Sequence, residues 1–292
     1  MKNEIIIGSD GVFGSAYLKN RRNPGDIGIN RHQFLSLYDE NLSEKRNIET
    51  IIHLINISEV SRVVYAAQHS DYRTNSFENR RDLLNVNSLY LTLFAKAAAE
   101  LAIPLTYFSS GSVYYPKGTS LKETDPLNLE GNFYITSKIA AELLIKTLDV
   151  HEKSLIVRPF FMYGKNQKTS TLIPGLFHSI ANKIEIKLNS QEGLAINPIS
   201  SEQAANLVGQ LHSQDASGIF NLAGIEETSI REVSLEIGRL INIEPRFVVD
   251  PGFNKISSLI GDTEKLNEIT EQSSNFNLSR GLEDMSKFLK FT

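Results

Sequence analysis

The chain is 292 residues long, with 41% hydrophobic and 22% charged residues, enough for one large core or a core with a smaller lobe. A net charge of −4 gives no reason to expect nucleic acid or an anionic membrane as partner, and the absence of cysteine excludes disulfides, thiolate nucleophiles and cysteine-based zinc sites. No apolar run approaches the ~20 residues of a membrane span, so a cytoplasmic location is expected.

The run behind Lys2, Ile5-Ile6-Ile7, is too short for a signal peptide and reads as a buried strand. Gly8, Gly11 and Gly14 follow, and SAYLKN continues as the start of a helix. A strand, a glycine-rich turn and a helix in succession present free backbone N–H groups to a pyrophosphate. Gly8 permits the tight turn, Gly11 lets the backbone approach the ligand, and Gly14 allows close helix–strand packing. The spacing is G-x-x-G-x-x-G, not G-x-G-x-x-G, and a plain loop is the alternative.

Pro24-Gly25 breaks the chain before a second strand at Ile27-Gly28-Ile29, which ends at Asn30-Arg31-His32. An NAD site usually carries an acid there, to bond the adenosine ribose. Arg31 suits a 2′-phosphate instead, so NADP is preferred and NAD is the alternative; a solvated loop arginine is the plainer reading. Residues 47–57 read as a helix and 61–70 as strand then loop, with Val63, Val64 and Tyr65 buried. Residues 83–102 form a long helix bounded by Pro104, and Leu105–Phe108 is a strand running into Ser109-Ser110-Gly111-Ser112. Strands alternating with helices mean βαβ units and a parallel sheet, whose reactive groups gather at the carboxyl ends of the strands. Ser110 stands at such an end.

After a polar loop, residues 132–138 open another helix, and Tyr134 and Lys138, four apart, share one of its faces. Such a pair is common by chance, but its place after a phosphate loop and a strand-end serine is not. A free tyrosine has a pKa of about 10, too high for a general base at neutral pH. A nearby ammonium and an oxidised nicotinamide ring both favour the phenolate. Tyr134 can then exchange a proton with an alcohol or ketone oxygen, Ser110 can polarise that oxygen, and Lys138 can reach the nicotinamide ribose. The histidines include no H-x-x-x-H pair, so no metal centre is expected.

In these motifs the chain resembles the extended short-chain dehydrogenase/reductases, in the NAD-dependent epimerase/dehydratase group that acts on nucleotide sugars. The likeness runs through GSDGVFG, YAAQHS, NVNSLYL, SSGSVYYP, YITSK, RPFFMYG, INPISSEQAANLV and GIFNLAGIEETSIREV, in the family's order. It implies that Ala66 and Ala67 lie along the cofactor, that Asn85 anchors a loop beside it, and that Pro159 borders the nicotinamide. The expected cofactor set is then Gly8, Gly11, Val12, Phe13, Gly14, Arg31, Ala66, Ala67, Asn85 and Pro159, with Ser110, Tyr134 and Lys138 catalytic. Ser112 is an alternative to Ser110. The family's dehydratases carry an Asp-Glu pair after the catalytic threonine; Gly111 and Ser112 stand there, which argues against dehydration. Residues 192–195 lack the arginine that many relatives aim at the substrate pyrophosphate. The pattern is most like reductases that finish deoxysugars, such as dTDP-4-dehydrorhamnose reductase.

The expected architecture is an α/β, Rossmann-type doubly wound parallel sheet over residues 1–160, rejoined by a segment at about 195–222, with 161–292 mainly a smaller substrate lobe. In the tail, 275–291, Leu278, Leu282, Met285 and Leu289 follow helical spacing. Two helices look apolar on more than one face, through Tyr90, Leu93 and Phe94, and through Ile139, Leu143 and Leu144. A homodimer is the expected cover, and the substrate lobe the alternative. The expected activity is reduction of a 4-keto nucleotide sugar, with a 4-epimerase holding NAD, or a non-catalytic dinucleotide sensor, as competing readings.

Overall fold

The computed structural model describes residues 2–39, 41–69, 76–148, 150–253, 256–271 and 276–289. Ser70, which closes the YAAQHS segment, and both ends of the 275–291 tail lie outside them. The first half alternates β1 (Asn3–Ile7), α1 (Val12–Arg21), β2 (Ile27–Ile29), α2 (Arg31–Ser36), α3 (Glu44–Ile57) and β3 (Val60–Tyr65). It continues with α4 (Phe77–Leu84), α5 (Tyr90–Glu100), β4 (Leu105–Phe108), α6 (Phe133–Lys146) and β5 (Ser154–Pro159). Then come α7 (Leu172–Ala181), β6 (Ile186–Leu188), β7 (Ala195–Ile196), α8 (Ser201–Ser213) and β8 (Gly218–Leu222). The chain finishes with β9 (Thr228–Ser229), α9 (Ile230–Ile241), β10 (Phe247–Val249), β11 (Ser258–Leu259), α10 (Glu264–Asn267) and α11 (Leu278–Phe288).

Six strands form one parallel sheet in the order β2-β1-β3-β4-β5-β8. Their Ile, Val and Leu runs are buried on both faces, as a parallel sheet between two helical layers requires. Ile5, Ile7, Val63, Leu105 and Tyr107 pack under α3, α5 and α6; Ile6, Val64, Val157 and Phe220 pack under α1 and α8. The strand order reverses between β1 and β3, and a crevice at that switch point, at the carboxyl ends of the strands, is where such sheets bind ligands. A separate core of Tyr163, Phe177, Ile196, Val233, Ile237 and Leu282 builds the lobe. Two small sheets stiffen it, β10-β6 and β11-β7-β9.

Two elements differ from the reading of the sequence. Arg31 is not in a loop: Asn30 and Gln33 close a capping box, making Arg31 the first residue of α2. The helix expected over 83–102 begins at Phe77, where Ser76 accepts from the Asn79 N–H. Its polar first turns, FENRRD, carry no apolar periodicity to announce them. Between α4 and α5 the helix widens into one π turn, Asn85–Leu89. The carbonyls of Val86 and Asn87 accept from the hydroxyls of Tyr65 (2.6 Å) and Tyr107 (3.4 Å), which anchors the turn to the sheet.

A buried polar cluster lies near the start of β1. The Tyr17 hydroxyl donates to Glu4 Oε2 (2.9 Å), His212 Nδ1 stands 2.6 Å from that hydroxyl, and Thr106 Oγ1 lies 2.8 Å from His212 Nε2. A neutral imidazole with its proton on Nδ1 gives every donor an acceptor. Arg21 and Arg62 flank Glu4 at 3.2 and 3.6 Å. Among the described residues no helix is long and apolar enough to cross a membrane, and no group of three or more acidic or histidine side chains is placed to hold a metal ion.

Candidate active site

β1 delivers the chain to Gly8, whose φ of +88° lies in the left-handed region, and a Cβ there would stand 2.8 Å from the Ala67 backbone. Conformation and the close approach of the segment after β3 thus both require glycine at this position. A Cβ on Gly14 would overlap the Gly8 carbonyl oxygen, so the third glycine packs the helix against the turn itself. Gly11 is the N-cap of α1; no side chain caps the helix there and no acid occupies its first turn. The positive end of the helix is left to a ligand.

A cavity of about 820 Å³ lies over the carboxyl edge of the sheet. Its wall takes in Gly8, Gly11, Val12, Phe13 and Arg31, then Ala66, Ala67 and Asn85, then Ser110, Tyr134 and Pro159. Asn166, Lys168 and Thr171 line it from the lobe. Of the site residues expected from the sequence, Gly14 and Lys138 are not on this wall. Phe13 is shared with the core, its ring 3.9 Å from that of Phe108.

Ser110 caps a short 3₁₀ turn, Gly111–Val113, and its Oγ accepts from the Ser112 N–H at 3.1 Å. With that lone pair engaged, the serine proton is available to an oxygen in the cavity. Ser112 shares the wall. A side chain at Gly111 would meet the Phe160 ring at 2.7 Å, so no acid fits directly after Ser110.

Tyr134 is the second residue of α6, which Asn132 caps by accepting from the Ile135 N–H. Its hydroxyl donates to Gln68 Oε1 at 3.4 Å. Lys138, one turn on, lies behind the tyrosine: it is 1% exposed, and Nζ donates to the Phe108 carbonyl at 2.8 Å. Nζ stands 6.0 Å from the Tyr134 ring centre and 5.2 Å from that of Tyr107. Burial pushes the ammonium down to about 7, and the Glu142 carboxylate, one further turn on, opposes the drop. One of the three ammonium N–H groups is spent on the Phe108 carbonyl, and the burial of the side chain keeps it off the cavity wall. Beneath lies an ion pair, Glu142 with Arg158, to which Ser109 also donates.

Gln68 and Glu142 escaped the sequence reading. Glu142 does leave a signal: a lone acid inside the apolar run IAAELLI, in step with Tyr134 and Lys138 at intervals of four. Gln68 leaves none beyond following Ala66-Ala67 at a strand end.

Sheet order, glycine turn and switch-point cavity together define a Rossmann-type α/β fold. The chain belongs to the NAD dependent epimerase/dehydratase family, matched over residues 5–196. Among solved structures it is similar to a dTDP-4-dehydrorhamnose reductase from Clostridium acetobutylicum, with 18% identity, a TM-score of 0.80 and 99% of each chain covered. A dTDP-4-dehydrorhamnose reductase from Bacillus anthracis in complex with NADP is similar at 18% identity and a TM-score of 0.75, with 100% of both chains covered. The Thermus thermophilus UDP-glucose 4-epimerase in complex with NAD reaches 15% identity and a TM-score of 0.75, over 99% of each chain. At these identities the likeness speaks for the fold. No curated protein matches the chain.

Proposed function

We propose that this protein is an NADPH-dependent reductase of a 4-keto nucleotide sugar. The observation that carries the reading is one continuous cavity, which runs from the open end of α1 past Ser110 and Tyr134 to the lobe. One ligand can lie along the sheet and a second against the lobe, with their reacting ends beside Tyr134. The substrate class is taken from the solved reductases named above. Gly111, closed off by Phe160, removes the acid that dehydration would call for next to Ser110. Arg31 on the wall, with no acid closing β2, favours NADP over NAD.

The residues fit a dinucleotide: Gly8, Gly11 and the first turn of α1 would hold the pyrophosphate, with Ala66 and Ala67 along it. When bound, the reduced cofactor supplies the hydride. Ser110 donates its proton in a hydrogen bond to the substrate carbonyl oxygen, which draws charge onto that atom. Tyr134 gives up its hydroxyl proton to the same oxygen as negative charge develops there. Lys138, from behind, stabilises the phenolate left on Tyr134.

We also infer a homodimer. Leu93, Phe94 and Ile139 are spent inside the subunit, but Leu89 on the π turn and Leu143 on α6 are 55% and 52% exposed. A scattering mass of 32.7 kDa at micromolar concentration would remove the dimer.

The test of function is NADPH oxidation at a single wavelength with dTDP-4-dehydrorhamnose, in wild type and Tyr134→Phe. The expected result is turnover that falls about a hundredfold or more in the variant, with cofactor affinity kept. No NADPH oxidation with the 4-keto sugar, but interconversion of the C4 epimers of a 4-hydroxyl nucleotide sugar such as UDP-glucose, would favour the epimerase; turnover unchanged in Tyr134→Phe would refute the mechanism.

A further inference from the structure

Glu142 is 1% exposed, four residues past Lys138 and eight past Tyr134, so all three lie along one stripe of α6. Its Oε1 accepts from Ser109 Oγ (2.5 Å) and Arg158 Nε (2.9 Å), and its Oε2 accepts from Arg158 Nη2 (2.5 Å). Ser109 directly precedes Ser110 at the end of β4, and Arg158 directly precedes Pro159 in β5. One carboxylate therefore joins the three elements that carry Ser110, Tyr134 and Pro159. Arg158 is itself held by the Tyr114 ring at 4.7 Å and the Glu123 carbonyl at 3.3 Å.

A buried ion pair is weak evidence for stability, since an apolar pair of the same volume often serves as well. What an apolar pair cannot supply is three directional bonds and a negative charge one turn from Lys138. We propose that Glu142 is a positioning residue for the reaction, setting the serine loop against the Tyr134 helix and supplying the counter-charge to Lys138. This rests on the role given to Tyr134 above. The groups facing Glu142 are Arg158 from β5, Tyr107 from β4, Ser109 just past its end, Tyr114 after the 3₁₀ turn, and Lys138 from its own helix.

The experiment is Glu142→Gln, which keeps shape but loses the charge and one acceptor. With NADPH and dTDP-4-dehydrorhamnose, kcat should fall about tenfold or more, while KM and the NADPH Kd stay within about threefold. The alkaline fall of kcat should move about one pH unit or more toward acid. Without substrate, the pH midpoint at which the Lys138 side-chain carbon resonance titrates in 13C-lysine protein, assigned by its loss in Lys138→Met, should move by the same amount. If Glu142→Gln fails to fold, Glu142→Met/Arg158→Met removes both members of the buried ion pair and should show the same fall in kcat. An unchanged pH profile with kcat within about threefold of wild type, or Lys138 titrating where it does in wild type, overturns the proposal. Tyr134→Phe separates the two failures: if it leaves turnover intact, the function reading fails; if it abolishes turnover while the Glu142 variants behave as wild type, only this inference fails.

Discussion

Replacing Lys138 with methionine should stabilise the protein at neutral pH while removing its activity. An unfolded lysine keeps its proton to about pH 10.5, whereas burial in the fold brings Lys138 down to about 7. At pH 7 that gap of roughly 3.5 units, less the half-protonation of the folded group, costs the native state roughly 4 kcal/mol at 1.36 kcal/mol per unit. Methionine removes this cost but leaves the Phe108 carbonyl without its donor, which costs about 1–3 kcal/mol. The net gain expected is about 1–3 kcal/mol, or several degrees in Tm at about 2–4 °C per kcal/mol. The sign depends on pH. As pH rises from 7 toward 10.5 the unfolded lysine sheds its proton too, and the native disadvantage shrinks to under about 1 kcal/mol by pH 10. The variant should then be the less stable of the two. Urea unfolding at both pH values is the assay. A variant weaker than wild type at pH 7, or an advantage that persists to pH 10, would refute the reasoning.

Arg31→Asp should reverse a preference for NADPH over NADH, seen by nicotinamide fluorescence. Because Arg31 is exposed, the preference is expected near the lower end of the charge-assisted range, about tenfold, and should shrink with salt; equal affinities in wild type would mean that Arg31 does not meet the cofactor. Gly8→Ala must strain a left-handed residue and press on the Ala67 backbone, so dinucleotide binding should be lost together with about 1–3 kcal/mol of stability in urea unfolding. His212 is kept neutral by burial, with Arg62 and Arg21 adding to the effect against Glu4. An unfolded histidine takes up a proton below about pH 6.5, so stability should fall as pH drops from 7 to 5. His212→Gln should flatten that slope in urea midpoints, whatever its effect at pH 7; an identical slope would mean that His212 takes up a proton as readily in the fold as in the unfolded chain.

Most of the sheet could be read directly. Ile5-Ile6-Ile7, Ile27-Gly28-Ile29 and Leu105–Phe108 are short apolar runs bounded by glycine, proline or serine, and each is a strand of the parallel sheet. Helices with an apolar stripe were equally plain, as in α3 and α11. The misses have local causes. In α2 the signal is a capping box, Asn30 with Gln33, around few apolar residues, and α4 opens on polar turns held by Ser76. In the site, Ser110 and Tyr134 could be named because strand ends and helix periodicity place them. The depth of Lys138 could not, because it depends on the Phe108 carbonyl and on Glu142, which tertiary packing alone brings to it. Gln68 became a neighbour of the Tyr134 hydroxyl for the same reason.

The π turn explains a rhythm that an ordinary helix could not keep. The inward positions Asn79, Leu83, Asn87, Leu91 and Ala95 are all buried and recur every four residues. On a helix of 3.6 residues per turn such a stripe would drift by about 40° at each step, and by about 160° across the four steps. The wider turn at Asn85–Leu89 absorbs much of that drift, so α4 and α5 present one continuous seam to the sheet and to α6. Along the seam, Asn87 Nδ2 donates to Ser137 Oγ and Ser88 Oγ to the Ser137 carbonyl, both at 3.0 Å, while Ser137 Oγ donates to the Tyr134 carbonyl at 2.7 Å. The phase of the helix along the cavity wall is thereby passed to the tyrosine. Deleting one residue from 85–89 would close the wide turn to ordinary α geometry with α4 and α5 still in phase, so its cost would fall on the Asn87 and Ser88 bonds to Ser137 and not on the direction of the helix.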